Sequence, residues 1–238
     1  MENRKVLETG LRELNIDVTD KMMDSFLIYK EMLIQWNQRM NLTNITEERE
    51  VFIKHFLDSV SCVQCGIDLK DKKVIDVGTG AGFPGLPLKI ALPHLKLTLL
   101  DSLNKRVNFL KEMAHKLNIE CEVIHGRAED YGRNKSHREK YDIVLSRAVA
   151  NMAVLSEFTL PFVKQGGYLL CQKGPAIFDE IEQAKAAIET LGGELKEIVS
   201  TKVYGSDFSH YIAVVKKVKL CPGKYPRKAG MIEKNPIM

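Results

Sequence analysis

Three closely spaced glycines precede the first helix of what the sequence predicts to be an α/β domain. The stretch VIDVGTGAGFPGLPLKI spans residues 74–90, and its loop glycines are Gly78, Gly80 and Gly82. Glycine lets a backbone turn sharply and approach a ligand closely. In a doubly wound sheet such a loop lies at the carboxyl ends of the strands, where ligands bind. The loop therefore predicts a cofactor site.

The spacing of this loop bears on which cofactor is bound. The dinucleotide fingerprint G-x-G-x-x-G needs its third glycine one residue later, where this chain has Phe83. No Gly-Lys-Ser/Thr follows, which excludes a phosphate-cradling P-loop. Asp76 leads the loop, and a carboxylate suits the sulfonium cation of S-adenosylmethionine better than a diphosphate. Asp101 ends the next strand and is expected to accept hydrogen bonds from ribose hydroxyls. NAD and S-adenosylmethionine share that ribose, so Asp101 does not choose between them.

The elements that hold this loop alternate between strand and helix. Strands are predicted at KVIDVG, LKLTLLD, CEVIHG, YDIVLSRA and YLLCQKG, with helices between them. This alternation predicts the α/β class, with a doubly wound and mostly parallel sheet. ELKEIVSTKVY and HYIAVVKKV leave little room for a crossover helix, so they predict an antiparallel hairpin at one edge and seven strands in all. NMAVLSEFTLPFVKQGG is interpreted as one helix that ends at its glycine pair.

Helical patterns come before the first strand. From Met22 to Met40 apolar residues recur in steps of four and three, which places them on one helix face. Tyr29 and Trp36 belong to this face and are interpreted as packing residues rather than as RNA-stacking ones. We therefore predict a helical cap over residues 1–70, a cofactor-binding domain over 71–219 and a basic tail over 220–238.

Positive charge is concentrated at the C-terminus. The chain carries a net charge of +4, yet the segment from Lys216 onward carries +6 and the rest −2. This asymmetry indicates either an anionic partner or a solubilising tail. No apolar run is long enough to span a bilayer, and the charged N-terminus lacks a signal peptide's apolar core, so we expect a cytoplasmic protein without a membrane segment. The five irregularly spaced cysteines predict reduced thiols, with neither a disulfide framework nor a metal site.

Several segments together resemble one family. They are WNQRMNLTNI, HFLDSV, DVGTGAGFPGLPLKI, LLDSLNKRVNFL, GRAED, SRAVA and KYPRKAGMIEKNPI. In this order they are similar to the glucose-inhibited division protein B family of bacterial 16S ribosomal RNA guanine-N7 methyltransferases. The resemblance implies a Rossmann-like class I fold and methyl transfer from S-adenosylmethionine to N7 of one guanine in 16S ribosomal RNA. The tail departs from the family's proline-rich pattern at KAGMIEKNP, which bears on its conformation.

The resemblance also implies cofactor contacts at particular positions. Carried over residue by residue, these contacts fall on Gly78 and Phe83 in the loop. They also fall on Ala128 and Glu129 after the third strand and on Arg147 after the fourth.

Methylation at guanine N7 makes modest chemical demands on the protein. N7 has an in-plane lone pair and no proton, so no general base is required. Rate enhancement is expected to come mainly from placing N7 in line with the methyl group. O6 beside N7 accepts hydrogen bonds from Arg or Lys, which makes Arg127, Arg147 and Lys173 candidate donors to O6 or to a neighbouring phosphate.

The tail supplies further candidate RNA contacts. We expect Lys224, Arg227 and Lys228 to contact phosphates and Tyr225 to stack on a base. The expected partner is 16S ribosomal RNA or the small ribosomal subunit, and the chain is expected to act as a monomer. Two other functions stay open at this point: an NAD-dependent oxidoreductase, or a non-catalytic ribosome-binding protein.

Overall fold

The computed structural model describes residues 2–147 and 149–238. Met1, the first residue of the predicted cap, and Ala148, the central alanine of SRAVA, lie outside the described residues.

The N-terminal region is helical, as its periodicity predicts. Helix α1 spans Glu2–Glu13 and α2 spans Asp20–Met40. Thr19 caps α2, because its side chain accepts the backbone N–H of Met22 at 3.2 Å. A further helical run follows, made of α3 (Glu48–Glu50), a π-helical segment (Val51–Leu57), α4 (Asp58–Val60) and a 3-10 turn (Ser61–Cys65).

Seven strands form one sheet. They are β1 (Lys73–Val77), β2 (Lys96–Asp101), β3 (Cys121–His125), β4 (Tyr141–Arg147), β5 (Val163–Lys173), β6 (Gly193–Thr201) and β7 (His210–Lys217). Their order is β3-β2-β1-β4-β5-β7-β6, parallel from β3 to β5, with β7 antiparallel to both neighbours. The predicted mostly parallel sheet with an antiparallel edge hairpin is confirmed. We call the edge where the parallel strands end the carboxyl edge and the other the amino edge.

Helices cover both faces of this sheet. They are α5 (Gly85–Ala91), α6 (Asn104–Lys116), α7 (Ala128–Tyr131), α8 (Met152–Thr159), α9 (Ile177–Thr190) and α10 (Met231–Lys234). Side chains alternate across the sheet, so Val74 joins the core under the N-terminal helices and Ile75 joins the core under α8 and α9. The first core also contains Leu11 and Phe26, so the N-terminal helices share one core with the sheet.

The expected helix over NMAVLSEFTLPFVKQGG is only partly present. Helix α8 ends at Thr159, and Gly166 and Gly167 lie inside β5 rather than at a helix end. Pro161 is the physical reason, because proline has no backbone N–H to continue the i→i−4 hydrogen bonds of a helix. The prediction was wrong about where the helix ends.

The C-terminal tail is packed against the domain. It leaves β7 at the amino edge, where the backbone N–H of Cys221 donates to Glu139 at 2.7 Å. Arg138 donates to the carbonyls of Cys221 and Tyr225, both at 2.7 Å. The ring of Tyr225 is only 8% exposed. The expectation that Tyr225 stacks on a base is therefore wrong, because the ring belongs to the core.

Candidate active site

The glycine loop connects β1 to α5 at the carboxyl edge. Gly78, Gly80 and Gly82 have φ values of 71°, 61° and 100°, which L side chains rarely adopt. A Cβ on Gly82 would lie 2.5 Å from the Tyr29 hydroxyl, so this glycine is required for close packing. A Cβ on Gly80 would meet nothing within 4 Å, so the space in front of this residue is open. Gly78 and Gly82 are therefore needed for the packing of the loop, whereas Gly80 has open space in front of it.

Asp76 organises this loop from inside. Its Oδ2 accepts the Thr79 hydroxyl at 2.7 Å and the Gly85 backbone N–H at 2.8 Å, which ties the loop to the start of α5. Its Oδ1 is buried and has no hydrogen-bond partner among the described residues. Burial raises the pKa of Asp76 to about 7, although the hydrogen bonds from Thr79 and Gly85 oppose the shift.

We expect Asp76→Asn to alter how the stability of the protein depends on pH. The ordinary pKa of Asp76 is 3.8 and its folded pKa is about 7. The folded chain therefore binds more protons than the unfolded chain in that window, and stability falls as pH rises through it. Asparagine cannot ionise, so the stability of wild type relative to the variant should fall by about 2 to 3 kcal/mol between pH 5 and pH 8.

Urea unfolding of both proteins at the two pH values measures this difference. Asp142→Asn is the control, because the partial burial of Asp142 is outweighed by hydrogen bonds from Lys164 and Lys73, and its pKa is lowered. That variant should show no such trend above pH 5. Parallel pH profiles for wild type and Asp76→Asn would contradict the assignment.

Asp101 lies at the end of β2, facing the loop. Its Oδ2 accepts the Gly80 backbone N–H at 2.9 Å, and its Oδ1 accepts that of Leu103 at 2.9 Å. Arg106 lies 3.6 Å from the same carboxylate. Each carboxylate oxygen keeps a second lone pair, so Asp101 can still accept hydrogen bonds from a ligand. The side chain of Leu103, which follows, is 52% exposed and supplies an apolar surface.

Ala128 and Glu129 follow β3 at the same edge. They begin the short helix α7, and the Glu129 carboxylate is buried, with Arg127 Nη1 at 3.9 Å. The Arg127 side chain is 64% exposed, so its guanidinium stands at the surface beside these residues. The fold therefore brings the ends of β1, β2 and β3 together as the sequence predicts.

Arg147 lies on the other side of the loop, in a network of buried polar groups. Its Nη1 donates to Asp58 Oδ2 at 2.8 Å, and Asp58 Oδ1 lies 2.5 Å from His210 Nδ1. The Asp58 side chain is 1% exposed and the Arg147 side chain 15% exposed. The guanidinium carbon lies 4.8 Å from the centre of the Phe83 ring. Asp58 and Phe83 together fix Arg147 beside the glycine loop.

Phe83 is enclosed by other rings. Its centroid is 4.5 Å from His55 and 5.5 Å from Tyr29, and both pairs are stacked. The ring is 7% exposed, so it supports the guanidinium of Arg147 from below. Tyr29 also donates to the carbonyl of Ala81 at 2.6 Å. Tyr29 is thus a packing residue, as predicted, and the role of Phe83 as a cofactor contact stays a prediction.

His55 is not a proton acceptor at neutral pH. Burial, with Arg147 beside it, lowers its pKa to about 3. Its Nε2 lies 2.8 Å from the Thr43 hydroxyl. The neutral ring therefore packs between Phe83 and Thr43, which follows α2.

Sequence reasoning did not single out Asp58, His55 or His210. The signal for the first two was present in HFLDSV, which carried the family resemblance but received no role. His210 belongs to β7, and only the sheet order brings it beside Asp58.

Lys173 does not present a free charge to a substrate. Its ammonium pairs with Glu180 at 2.7 Å and also donates to the carbonyl of Ala150. Glu180 in turn accepts the backbone N–H of Met152 at 2.9 Å. This corrects the expectation for Lys173, which holds the loop after β4 in place.

Arg227 is also engaged. Its guanidinium donates to both oxygens of Glu157, at 2.6–3.0 Å, and its backbone N–H donates to the same carboxylate. The Glu157 side chain is 1% exposed, so Arg227 compensates a buried charge. This corrects the expectation for Arg227, whereas Lys224 and Lys228 are exposed.

The residues at the carboxyl edge fit a cofactor that contains adenosine and a positive charge. Asp101 and Glu129 offer carboxylate acceptors, Leu103 offers an apolar surface, and the space in front of Gly80 is open. Behind the loop, Asp76 Oδ1 is a buried oxygen without a hydrogen-bond partner among the described residues. No group of three or more His, Cys, Asp or Glu residues in the described part of the chain is arranged to hold a metal ion. Within the same residues, no helix is both long and apolar enough to cross a membrane.

A larger groove lies away from this site. Its volume is about 870 Å³, and it is lined by segments that precede β1, β2 and β3 and by residues between α1 and α2. It therefore lies at the amino edge, between the N-terminal helices and the sheet. The groove is a gap where these helices pack against the sheet.

The sheet order, the antiparallel β7 and the glycine loop define a class I methyltransferase fold. A S-adenosylmethionine-dependent methyltransferase from Aquifex aeolicus matches with a TM-score of 0.50 and 22% identity, covering 67% of this chain and 89% of that one. TYW2 from M. jannaschii, solved with S-adenosylmethionine, matches with a TM-score of 0.50 and 18% identity, covering 66% and 74%. The chain belongs to the rRNA small subunit methyltransferase G family, GidB, which matches residues 22–206.

Curated relatives agree with this family over the whole chain. A protein named ribosomal RNA small subunit methyltransferase G from Alkaliphilus oremlandii is 54% identical and covers all of both chains. One of the same name from Clostridium botulinum is 45% identical, again over the full length of both. The oxidoreductase and the non-catalytic alternatives find no support in these relatives.

Proposed function

We propose that this protein transfers a methyl group from S-adenosylmethionine to N7 of one guanine in 16S ribosomal RNA, acting as a monomer in the cytoplasm. One observation carries the proposal. Arg147, anchored by Asp58 and Phe83, lies beside a glycine loop whose strand-end carboxylates suit a sulfonium nucleoside. The family supports ribosomal RNA as the substrate.

The residues of this chain position the two reactants. S-adenosylmethionine supplies an electrophilic methyl group on sulfur when bound. Asp101 and Glu129 would hold the ribose and base of the nucleoside, and Gly80 leaves room for it. Arg147 would donate to guanine O6, which lies beside N7 on the same edge of the base. This hydrogen bond would orient N7 toward the methyl group. No residue has to remove a proton, which agrees with the low pKa of His55.

The test is to map N7-methylguanine in 16S ribosomal RNA from cells with and without this gene. The proposal expects one guanine to lose its methyl group completely and to regain it with purified protein and S-adenosylmethionine. An identical methylation map in both strains would overturn the proposal.

The prediction that the C-terminal tail contacts RNA phosphates now concerns two lysines. Lys224 and Lys228 are exposed, whereas Arg227 is committed to Glu157. If each lysine contacts a phosphate, Lys224→Ala with Lys228→Ala should reduce the salt slope of RNA binding by about 1.4, or about 0.7 per single-strand contact. Filter binding over a salt series measures the slope, and Lys185→Ala with Lys196→Ala is the charge-matched control. An unchanged slope would make the tail a solubilising and packing element.

A further inference from the structure

A second pocket lies between α2 and α6, outside the glycine loop. It has a volume of about 380 Å³ and is lined by Gln35, Trp36, Arg39, Met40, Lys105 and Glu112. A pocket of this size matches the smaller ligand sites of proteins.

The pocket is structurally linked to the candidate active site on two sides. Lys105 belongs to the first turn of α6, and its neighbour Arg106 lies 3.6 Å from the Asp101 carboxylate. On the other side, α2 ends at Met40 and the chain continues to Thr43, which contacts His55 beneath Phe83. Helix α6 and the segment after α2 therefore connect this pocket to the candidate active site.

Trp36 gives the pocket an aromatic wall. Its indole packs edge-on against Phe109, with centroids 5.6 Å apart and an angle of 65°. Its Nε1 lies 3.4 Å from Glu112 Oε1. The ring is half-buried and still lines the pocket, so it is held in place with surface available for stacking. Ring stacking on a fixed aromatic side chain is how proteins bind single-stranded bases without sequence preference.

Two cations accompany the ring. Arg39 and Lys105 are exposed and line the pocket, and neither forms an ion pair within the part of the chain that the structure describes. The only carboxylate among the lining residues, Glu112, is directed to the indole N–H. The pocket is therefore positive, and it combines an aromatic ring with phosphate-binding groups.

We propose that this pocket binds one nucleotide of the substrate RNA close to the target guanine. The base stacks on Trp36, and the adjoining phosphates are held by Arg39 and Lys105. The inference rests on the proposed function and extends it, because it assigns a second anchoring point for the RNA. Trp36 thus has a role beyond the packing that its helix position predicts.

The first test uses the fact that Trp36 is the only tryptophan in the chain. Tryptophan emission therefore reports on this pocket alone. We expect saturable quenching when full-length protein is titrated with naked 16S ribosomal RNA from cells that lack the gene. Arg39→Ala with Lys105→Ala should raise the half-saturating RNA concentration about tenfold, and Lys185→Ala with Lys196→Ala should leave it unchanged. Absence of quenching, or quenching by polyglutamate but not RNA, would overturn the proposal.

The second test separates this pocket from the chemistry. Methyl transfer to small subunits from the same cells should show KM for the subunit raised about 5- to 150-fold in Trp36→Leu, the range expected for one lost stack. Trp36→Phe should restore most of the loss, and kcat and S-adenosylmethionine affinity should stay unchanged. Arg39→Ala with Lys105→Ala, which removes only exposed side chains, covers the case that Trp36→Leu fails to fold.

The outcomes distinguish the two proposals. If wild-type protein transfers no methyl group, the proposed function fails, and RNA quenching of Trp36 still decides the pocket. If wild type is active and the double variant keeps its KM for the subunit, the pocket proposal is overturned while the function stands.

Discussion

Replacing Gly80 with alanine is expected to lower the affinity for S-adenosylmethionine about 5- to 150-fold. A Cβ on Gly80 meets no protein atom within 4 Å, so it would project into the space that we assign to the cofactor. Overfilling a close-packed contact costs about 1–3 kcal/mol, which corresponds to this range. Isothermal calorimetry measures the loss.

Gly66→Ala is the matched control for this prediction. Gly66 has a φ of 66° against 61° for Gly80, and its Cβ would also meet nothing within 4 Å. Both variants should lose about 1–2 kcal/mol of stability from left-handed backbone strain. Only Gly80→Ala should lose cofactor affinity. Equal affinity in both variants would show that the cofactor does not approach Gly80.

The local features of the fold could be predicted because they depend on residues that are close together in the sequence. Alternating strand and helix periods gave the parallel sheet, and the short link between the last strands gave the antiparallel hairpin. The glycine spacing located the loop, since Gly78, Gly80 and Gly82 all need positive φ. Asp101 at the carboxyl edge followed from the parallel order alone.

The charged contacts were harder to predict, because a side chain's partner depends on distant packing. Lys173 and Arg227 were candidate RNA ligands by type and position, yet each meets a carboxylate in the folded chain. Glu157 lies 70 positions before Arg227, and no periodicity links them. Charge patterning therefore identified a basic tail without showing which of its cations stay free.

The domain boundaries at residues 70 and 219 stay predictions. The N-terminal helices share a core with the sheet, and the tail packs under α8, so the three predicted parts are in close contact. The hydrophobic periodicity changes from helical to strand-like near residue 70, but such a change does not show that either part folds alone.

Replacing Arg147 with alanine is expected to lower kcat/KM for methyl transfer at least about 100-fold. The reason is the loss of a donor that holds N7 in line with the methyl group, and a misplacement of about 1 Å at a reacting centre costs about 100-fold. Methylation of small subunits from cells without the gene measures the change. Arg147→Lys keeps the charge but not the fixed planar fork, so it should restore only part of the activity. Wild-type transfer by Arg147→Ala would remove Arg147 from the site.

A loss of stability must be separated from this loss of activity. Removing Arg147 leaves the buried Asp58 carboxylate with His210 as its remaining side-chain partner, and breaking a buried pair costs about 3–5 kcal/mol. Arg147→Met combined with Asp58→Asn removes both charges, so its Tm should recover toward wild type. If activity stays low in this stable double variant, Arg147 acts on the substrate. If activity returns with Tm, then Arg147 serves only to neutralise Asp58, and another cation at the carboxyl edge, such as the exposed Arg127, faces the guanine.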